Sequence, residues 1–153
     1  MPVKVGLPAP DFTLASDTGD PVTLSSLRGR RVVLYFYPKD DTPGCTTQAC
    51  GIRDGWERLA PYDVALYGIS PDSSTSHASF RDKFELPFPL LADDGHVVAE
   101  AYSVWVEKSM GGKKYMGVER STFLIDEQGG IAAIWPKVDP DEHLDLVIAA
   151  LAD

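Results

Sequence analysis

Residues 30 to 38 read RRVVLYFYP, a run of branched and aromatic side chains with no charged residue from Val32 to Tyr37. A strand with one wet face alternates apolar and polar positions. This one does not, so it has to be covered on both faces, as the central strand of an α/β sheet is. DVALYGIS (63–70) reads as a second buried strand and FPLLAD (88–93) as a short third. Helices are expected from about Thr42 to Leu59, stopped by Pro61, and from Ser74 to Phe84. HVVAEAY (96–102) reads as a short helix, and DEHLDLVIAAL (141–151) as a closing helix with acidic residues in its first turn, where the helix dipole favours them. APDFTLASDTGDPVTL (9–24) reads as two extended pieces about a turn, and STFLIDEQGGIAAIW (121–135) as a hairpin turning at Glu127-Gln128-Gly129-Gly130. KSMGGKKYMG (108–117) reads as a mobile loop whose Met110 and Met116 serve packing. Strands alternating with helices predict a central mixed β-sheet with helices on both faces.

At 153 residues the chain is expected to form a single domain spanning 1–153, with room for a hydrophobic core. A composition 44% hydrophobic and 24% charged excludes a disordered chain or a disulfide-stapled miniprotein. The net charge of −9 repels nucleic acid and anionic membranes. The basic clusters at Arg28-Gly29-Arg30-Arg31 and Lys113-Lys114 are short enough to be solvated. With neither a signal-peptide pattern nor an apolar run of membrane-spanning length, the expected location is cytoplasmic, where thiols stay reduced.

The strand RRVVLYFYP delivers its carboxyl end, where open α/β sheets place their chemistry, to the segment KDDTPGCTTQAC. That segment holds both cysteines of the chain, Cys45 and Cys50, five positions apart. On an intact helix their Cα atoms would stand roughly 8–9 Å apart, beyond the reach of a disulfide. Ala49, Ile52, Trp56 and Leu59 recur at helical spacing and define a buried face. Cys45 projects near its centre and Cys50 well over 90° away. A permanent staple does not fit this placement, whereas unwinding the first turns would bring the sulfurs together. Cys-x-x-Cys is absent, and the three histidines, His77, His96 and His143, lie far from either cysteine in sequence. That leaves a transient disulfide, a metal site or two inert thiols.

A thiol attacks as its thiolate, and Cys45 would sit in the first turn of a helix, where unpaired N–H groups favour an anion. Gly44 leaves room for a small substrate to approach the backbone. Pro43 suits a helix's first turn, and the Thr42 hydroxyl can cap the helix or donate to a ligand. Asp40 and Asp41 oppose a thiolate, so a compensating cation has to come from elsewhere in the chain.

Pro38-x-x-x-Thr42-x-x-Cys45 resembles the active-site motif of the peroxiredoxins, and Cys50 five residues on is similar to their bacterioferritin comigratory protein, or Q-type, branch. ERSTFLID (119–126) resembles the strand bearing the family's active-site arginine, here Arg120. GLPAPDFTL resembles its N-terminal hairpin. Gln48 departs from the glutamate common in this branch. The resemblance implies a thioredoxin-like α/β fold with an N-terminal β-hairpin, and a peroxidase acting on hydrogen peroxide and organic hydroperoxides. Cys45 would be the peroxidatic cysteine, forming a sulfenic acid, and Cys50 the resolving one, closing an intramolecular disulfide that thioredoxin or a similar reductant reopens. Thr42, Arg120 and the backbone about Gly44 would bind the substrate, and Pro38 would shield the sulfur. Neither cofactor nor metal is implied, and a bridge within one chain leaves no chemical need for a dimer, so a monomer is expected.

Two other functions fit the cysteines: a protein disulfide oxidoreductase, and a non-catalytic redox sensor. By position alone Arg120 reads as a surface arginine at a strand end. Trp56, Trp105 and Trp135 read as core or pocket wall, and His96 and His143 are given no role.

Overall fold

The computed structural model describes residues 3–152. In chain order its strands are β1 (Thr13–Ser16), β2 (Pro21–Thr23), β3 (Val32–Phe36), β4 (Ala65–Ser70), β5 (Leu90–Ala92), β6 (Trp105–Met110), β7 (Lys113–Val118), β8 (Ser121–Ile125) and β9 (Ile131–Trp135). The α-helices are α1 (Pro43–Asp54), α2 (Ser74–Phe84), α3 (Val97–Ala101) and α4 (His143–Ala152). Seven strands form one mixed sheet in the order β2-β1-β5-β4-β3-β8-β9, and β6 pairs with β7 apart from it.

The unbroken apolar run makes β3 a central strand, parallel to β4 and antiparallel to β8. Its side chains alternate between two cores. Val33, Tyr35 and Tyr37 meet Cys45, Ala49 and Ile52 of α1, Phe80 of α2, and Val147 and Leu151 of α4. Val32, Leu34 and Phe36 meet Val98 and Ala99 of α3 together with Leu24, Tyr102 and Phe123. The sheet is thus covered on both faces, with β1 and β2 forming the expected N-terminal hairpin. No helix among the described residues is long and apolar enough to cross a membrane.

Two expectations need correction. The helix expected from Thr42 to Leu59 ends at Asp54; Gly55 closes it, and a 3₁₀ stretch from Trp56 to Tyr62 follows with Pro61 inside. Glycine is a poor helix former, and a Cβ at Gly55 would collide with Leu144 Cδ2 of α4, so no other residue fits where the helix closes. Leu59 still reaches the core, but from this second segment. Residues 108–117, expected to be a loop, lie in a β-hairpin instead. Gly111 and Gly112 turn it with φ of 57° and 83°, the left-handed pair that a two-residue hairpin turn requires. Met110 and Met116 are 71% and 50% exposed there, so neither fills the core.

Candidate active site

Strand direction assembles the site. β3 and β4 are parallel, so the loops leaving Phe36 and Ser70 emerge at one edge of the sheet. β8 runs the other way, with Ser121 paired to Phe36, and that register brings Arg120, one residue earlier, to the same edge. The Arg120 carbonyl accepts from Val138 N–H at 2.9 Å, which fixes the backbone there.

Cys45 is 2% exposed in the first turn of α1, and Cys50 is half-buried further along; both are free thiols. Cys45, the one expected to face inward, is the more buried of the two. Arg120 is half-buried and its Nη1 stands 3.4 Å from Cys45 Sγ and 2.8 Å from Gln48 Oε1. Nη1 carries two hydrogens and can serve both. Its other terminal nitrogen lies over Gly44, where a Cβ would come within 2.9 Å of it. The guanidinium thus lies against the α-carbon of Gly44, where any side chain would meet it.

Thr42 is the N-cap of α1 by backbone geometry, but its hydroxyl makes no cap bond. It donates instead to the Lys39 carbonyl at 2.8 Å, so its lone pairs are what remain for a ligand. Pro38 is half-buried, two residues past the end of β3. Asp41 just before Thr42 has φ of 56°, a left-handed conformation that Asp tolerates.

The two aspartates that seemed to oppose a thiolate are engaged elsewhere. Asp41 pairs with Lys83 at 2.7 Å. Asp40 accepts from Tyr37 Oη at 2.6 Å, Ser76 Oγ at 2.8 Å and His77 Nδ1 at 2.7 Å, while its backbone N–H donates to Asp72 at 2.7 Å. Burial alone would raise the Asp40 carboxyl, but these bonds and the charge of His77 hold it below its ordinary value. Asp40, Asp72 and His77 bring possible metal-ligand atoms within 4.8 Å of one another. The bonds just given already occupy them, so the cluster closes on itself as a clamp joining the β3–α1 loop to α2.

Sequence reading gave no role to His143 or Lys108, and named Gln48 only as a departure from the usual glutamate. His143, 1% exposed, accepts at Nδ1 from Gln48 Nε2 at 3.1 Å and meets Thr122 Oγ1 through Nε2 at 2.7 Å. Burial, and then the charge of Arg120, push its pKa down to about 4. Gln48 itself is 1% exposed and linked to Arg120 as an amide. Lys108 of β6 lays its methylenes 3.4 and 3.6 Å from the Cβ position of Gly117. Burial, then the Arg120 charge, hold its ammonium below the ordinary value, against the pull of Cys45 and Glu119. The signal for His143 was its place at the head of the buried His143, Val147, Leu151 stripe. His96, by contrast, stacks on Trp105 at 3.8 Å, away from this cluster. Trp56 and Trp135 pack against one core and Trp105 against the other, as expected.

The arrangement is thus a shielded sulfur at a helix amino end, one cation aimed at it, and a hydroxyl with free lone pairs nearby in sequence. Residues 5–134 match the model of the AhpC/TSA family. The chain is 49% identical over 153 residues to peroxiredoxin Bcp of Bacillus subtilis (strain 168), covering 100% of this chain and 98% of that one. It is 44% identical over 147 residues to peroxiredoxin Bcp of Escherichia coli (strain K12), covering 96% and 94%. Among solved structures, the bacterioferritin comigratory protein of Xanthomonas campestris, described for its alkyl peroxide reduction activity, superposes with a TM-score of 0.90 at 37% identity, over 97% of this chain and 98% of that one. The chain belongs to the AhpC/TSA family, in the bacterioferritin comigratory protein, or Q-type, branch of the peroxiredoxins.

Proposed function

We propose that this thiol-dependent peroxidase reduces hydrogen peroxide and organic hydroperoxides through Cys45, with Cys50 as its resolving partner and a thioredoxin-type dithiol as its reductant. The observation that carries the reading is Arg120 Nη1, placed 3.4 Å from Cys45 Sγ and held by Gln48. The alkyl peroxide activity described for the Xanthomonas campestris relative supports the substrate class.

The Cys45 thiolate attacks the nearer peroxide oxygen; an S–O bond forms as the O–O bond breaks, and the departing oxygen leaves as hydroxide or alkoxide and takes a proton. Negative charge moves from sulfur to that oxygen, so fixed donors along the line bind the transition state better than the ground state. Arg120 and the N–H groups at the head of α1 supply them. The Thr42 proton is committed to Lys39, so the peroxide O–H donates into Thr42, which orients it for attack. Pro38 keeps bulk water from the sulfur.

The Cys45 sulfenic acid then condenses with the Cys50 thiol, releasing water and forming the disulfide. Melting the first turns of α1 brings the two together, and the reductant's dithiol exchanges with the bridge to regenerate both thiols. A bridge within one chain lets the cycle run in a monomer, in the cytoplasm. A cation aimed at the sulfur favours this reading over protein disulfide exchange, which needs no such donor.

Intact-mass analysis after one equivalent of hydrogen peroxide tests the reading. The reduced chain should lose two hydrogens. Cys50→Ser should react once and stall with Cys45 oxidised, and Cys45→Ser should be inert. Consumption of peroxide by Cys45→Ser at the unaltered rate would overturn it.

A further inference from the structure

The contact between Arg120 and Cys45 is backed by a line of buried polar groups whose donors and acceptors can be ordered in one way only. Arg120 carries donors and no acceptor, so the Gln48 atom 2.8 Å from it has to be Oε1. The Gln48 amide nitrogen then points away, 3.1 Å from His143 Nδ1. An NH₂ group needs an acceptor there, so Nδ1 is unprotonated and the ring hydrogen sits on Nε2, donating to Thr122 Oγ1 at 2.7 Å. Gln48 and His143 are each 1% exposed and Thr122 0%, so bulk water is shut out of this line.

An imidazole serving only to fill space would leave such matching to chance. Both nitrogens of His143 are instead matched by type. Its place at the start of α4, facing β8 on one side and α1 on the other, makes it the joint between the strand that follows Arg120 and the helix that bears Cys45.

We propose that His143 is a positioning residue for the Cys45 reaction: its Nδ1 lone pair holds the Gln48 amide, and the amide in turn aims Arg120 at the sulfur. The proposal rests on the reading of Cys45 as the peroxide-reacting thiol. Without the Nδ1 acceptor the buried Gln48 NH₂ is unpaired, a cost that turns the side chain away and takes from Arg120 the oxygen that fixes Nη1.

The test compares His143→Leu, His143→Asn and Thr122→Val with the parent chain, all carrying Cys50→Ser so that a single thiol reports. Two rates are measured, the oxidation of Cys45 by hydrogen peroxide and its alkylation by iodoacetamide at fixed pH. Leucine should slow both, by roughly 10- to 100-fold for oxidation, the scale of losing a fixed alignment. Asparagine offers an oxygen near the position of Nδ1 and should recover most of the rate, which a residue needed only for packing would not predict. Thr122→Val is nearly isosteric; it frees the ring to move its hydrogen to Nδ1 and should slow both rates even if the leucine variant fails to fold. Unchanged rates in a folded leucine or valine variant would overturn the proposal, as would an asparagine variant as slow as leucine. If the parent chain consumes no peroxide, the proposed function fails, yet the alkylation rates still report on the line from His143 to Cys45.

Discussion

The Asp40 carboxylate stands 2.7 Å from Nδ1 of His77, whose ring is fully buried and whose Nε2 faces the Leu91 carbonyl at 2.9 Å. This pair ties the β3–α1 loop, which carries Pro38 and Thr42 into the site, to α2. Asp40→Asn keeps the shape but removes the charge that His77 and the hydroxyls of Tyr37 and Ser76 surround. Breaking one side of a buried pair costs roughly 3 kcal/mol or more. Urea unfolding at neutral pH should show that loss. A change below about 1 kcal/mol, the scale of a surface pair, would mean that the clamp holds nothing.

Gly44→Ala should separate reactivity from stability. The added Cβ would meet Arg120 Nη2 at 2.9 Å and Pro140 Cγ at 3.8 Å. The guanidinium is the far end of a flexible chain and can move aside, while alanine is the better helix former by about 1 kcal/mol. The expected variant is at least as stable as the parent, with Cys45 oxidised roughly 10-fold more slowly or worse because its cation is displaced. A stopped-flow oxidation rate beside a thermal melt checks both halves. An unaltered rate would show that Arg120 reacts to the methyl without leaving the sulfur.

Tyr35→Phe should stabilise the fold. The ring of Tyr35 lies across Gly68, where a Cβ would come within 2.8 Å of its hydroxyl, and it stacks on Tyr37 at 5.4 Å. The hydroxyl is buried with no hydrogen-bond partner among the described residues. Burial, then the charges of Cys45 and Asp40, drive its pKa well up, so it stays a neutral donor with nothing to donate to. Deleting a buried unpaired hydroxyl should gain about 1 kcal/mol, visible as a higher urea midpoint. A loss of stability would show that the oxygen has found a partner.

What could be read from sequence was whatever a local pattern specifies. Val32 to Phe36 announced a strand covered on both sides, and the segment from Ser74 to Phe84 announced α2, whose first turn Ser73 caps by accepting from Ser76 N–H at 3.1 Å. The cysteine motif gave one half of the site. Arg120 was legible only through resemblance, because its place beside Cys45 comes from the pairing of Phe36 with Ser121 across the sheet. The bond between Gln48 and His143 spans 95 residues and leaves no local signature. The β6–β7 hairpin was hidden for another reason. Its strands are mostly exposed, so the apolar alternation that marks a half-buried strand is missing.

Acid should destabilise the fold in a window set by His143. An unfolded histidine titrates near 6.5, whereas burial and the Arg120 charge push His143 down to about 4. Between those values the unfolded chain binds the extra proton and the folded chain does not, so stability rises with pH across the window. The contribution is fully present above pH 6.5 and falls away as pH drops toward 4; for a shift of that size the total is roughly 3 kcal/mol. Asp40 acts in the same sense lower down, because its carboxyl is held below its ordinary value and protonates only in stronger acid. Urea unfolding at several values from pH 7.5 to 4.5 separates the two, using His143→Asn as a partner that cannot titrate. The parent should lose stability faster than the variant over this range, by roughly 2–3 kcal/mol at the acid end. Parallel curves would mean that His143 titrates alike in both states, and the buried donor line from Thr122 to Arg120 would then have to be redrawn.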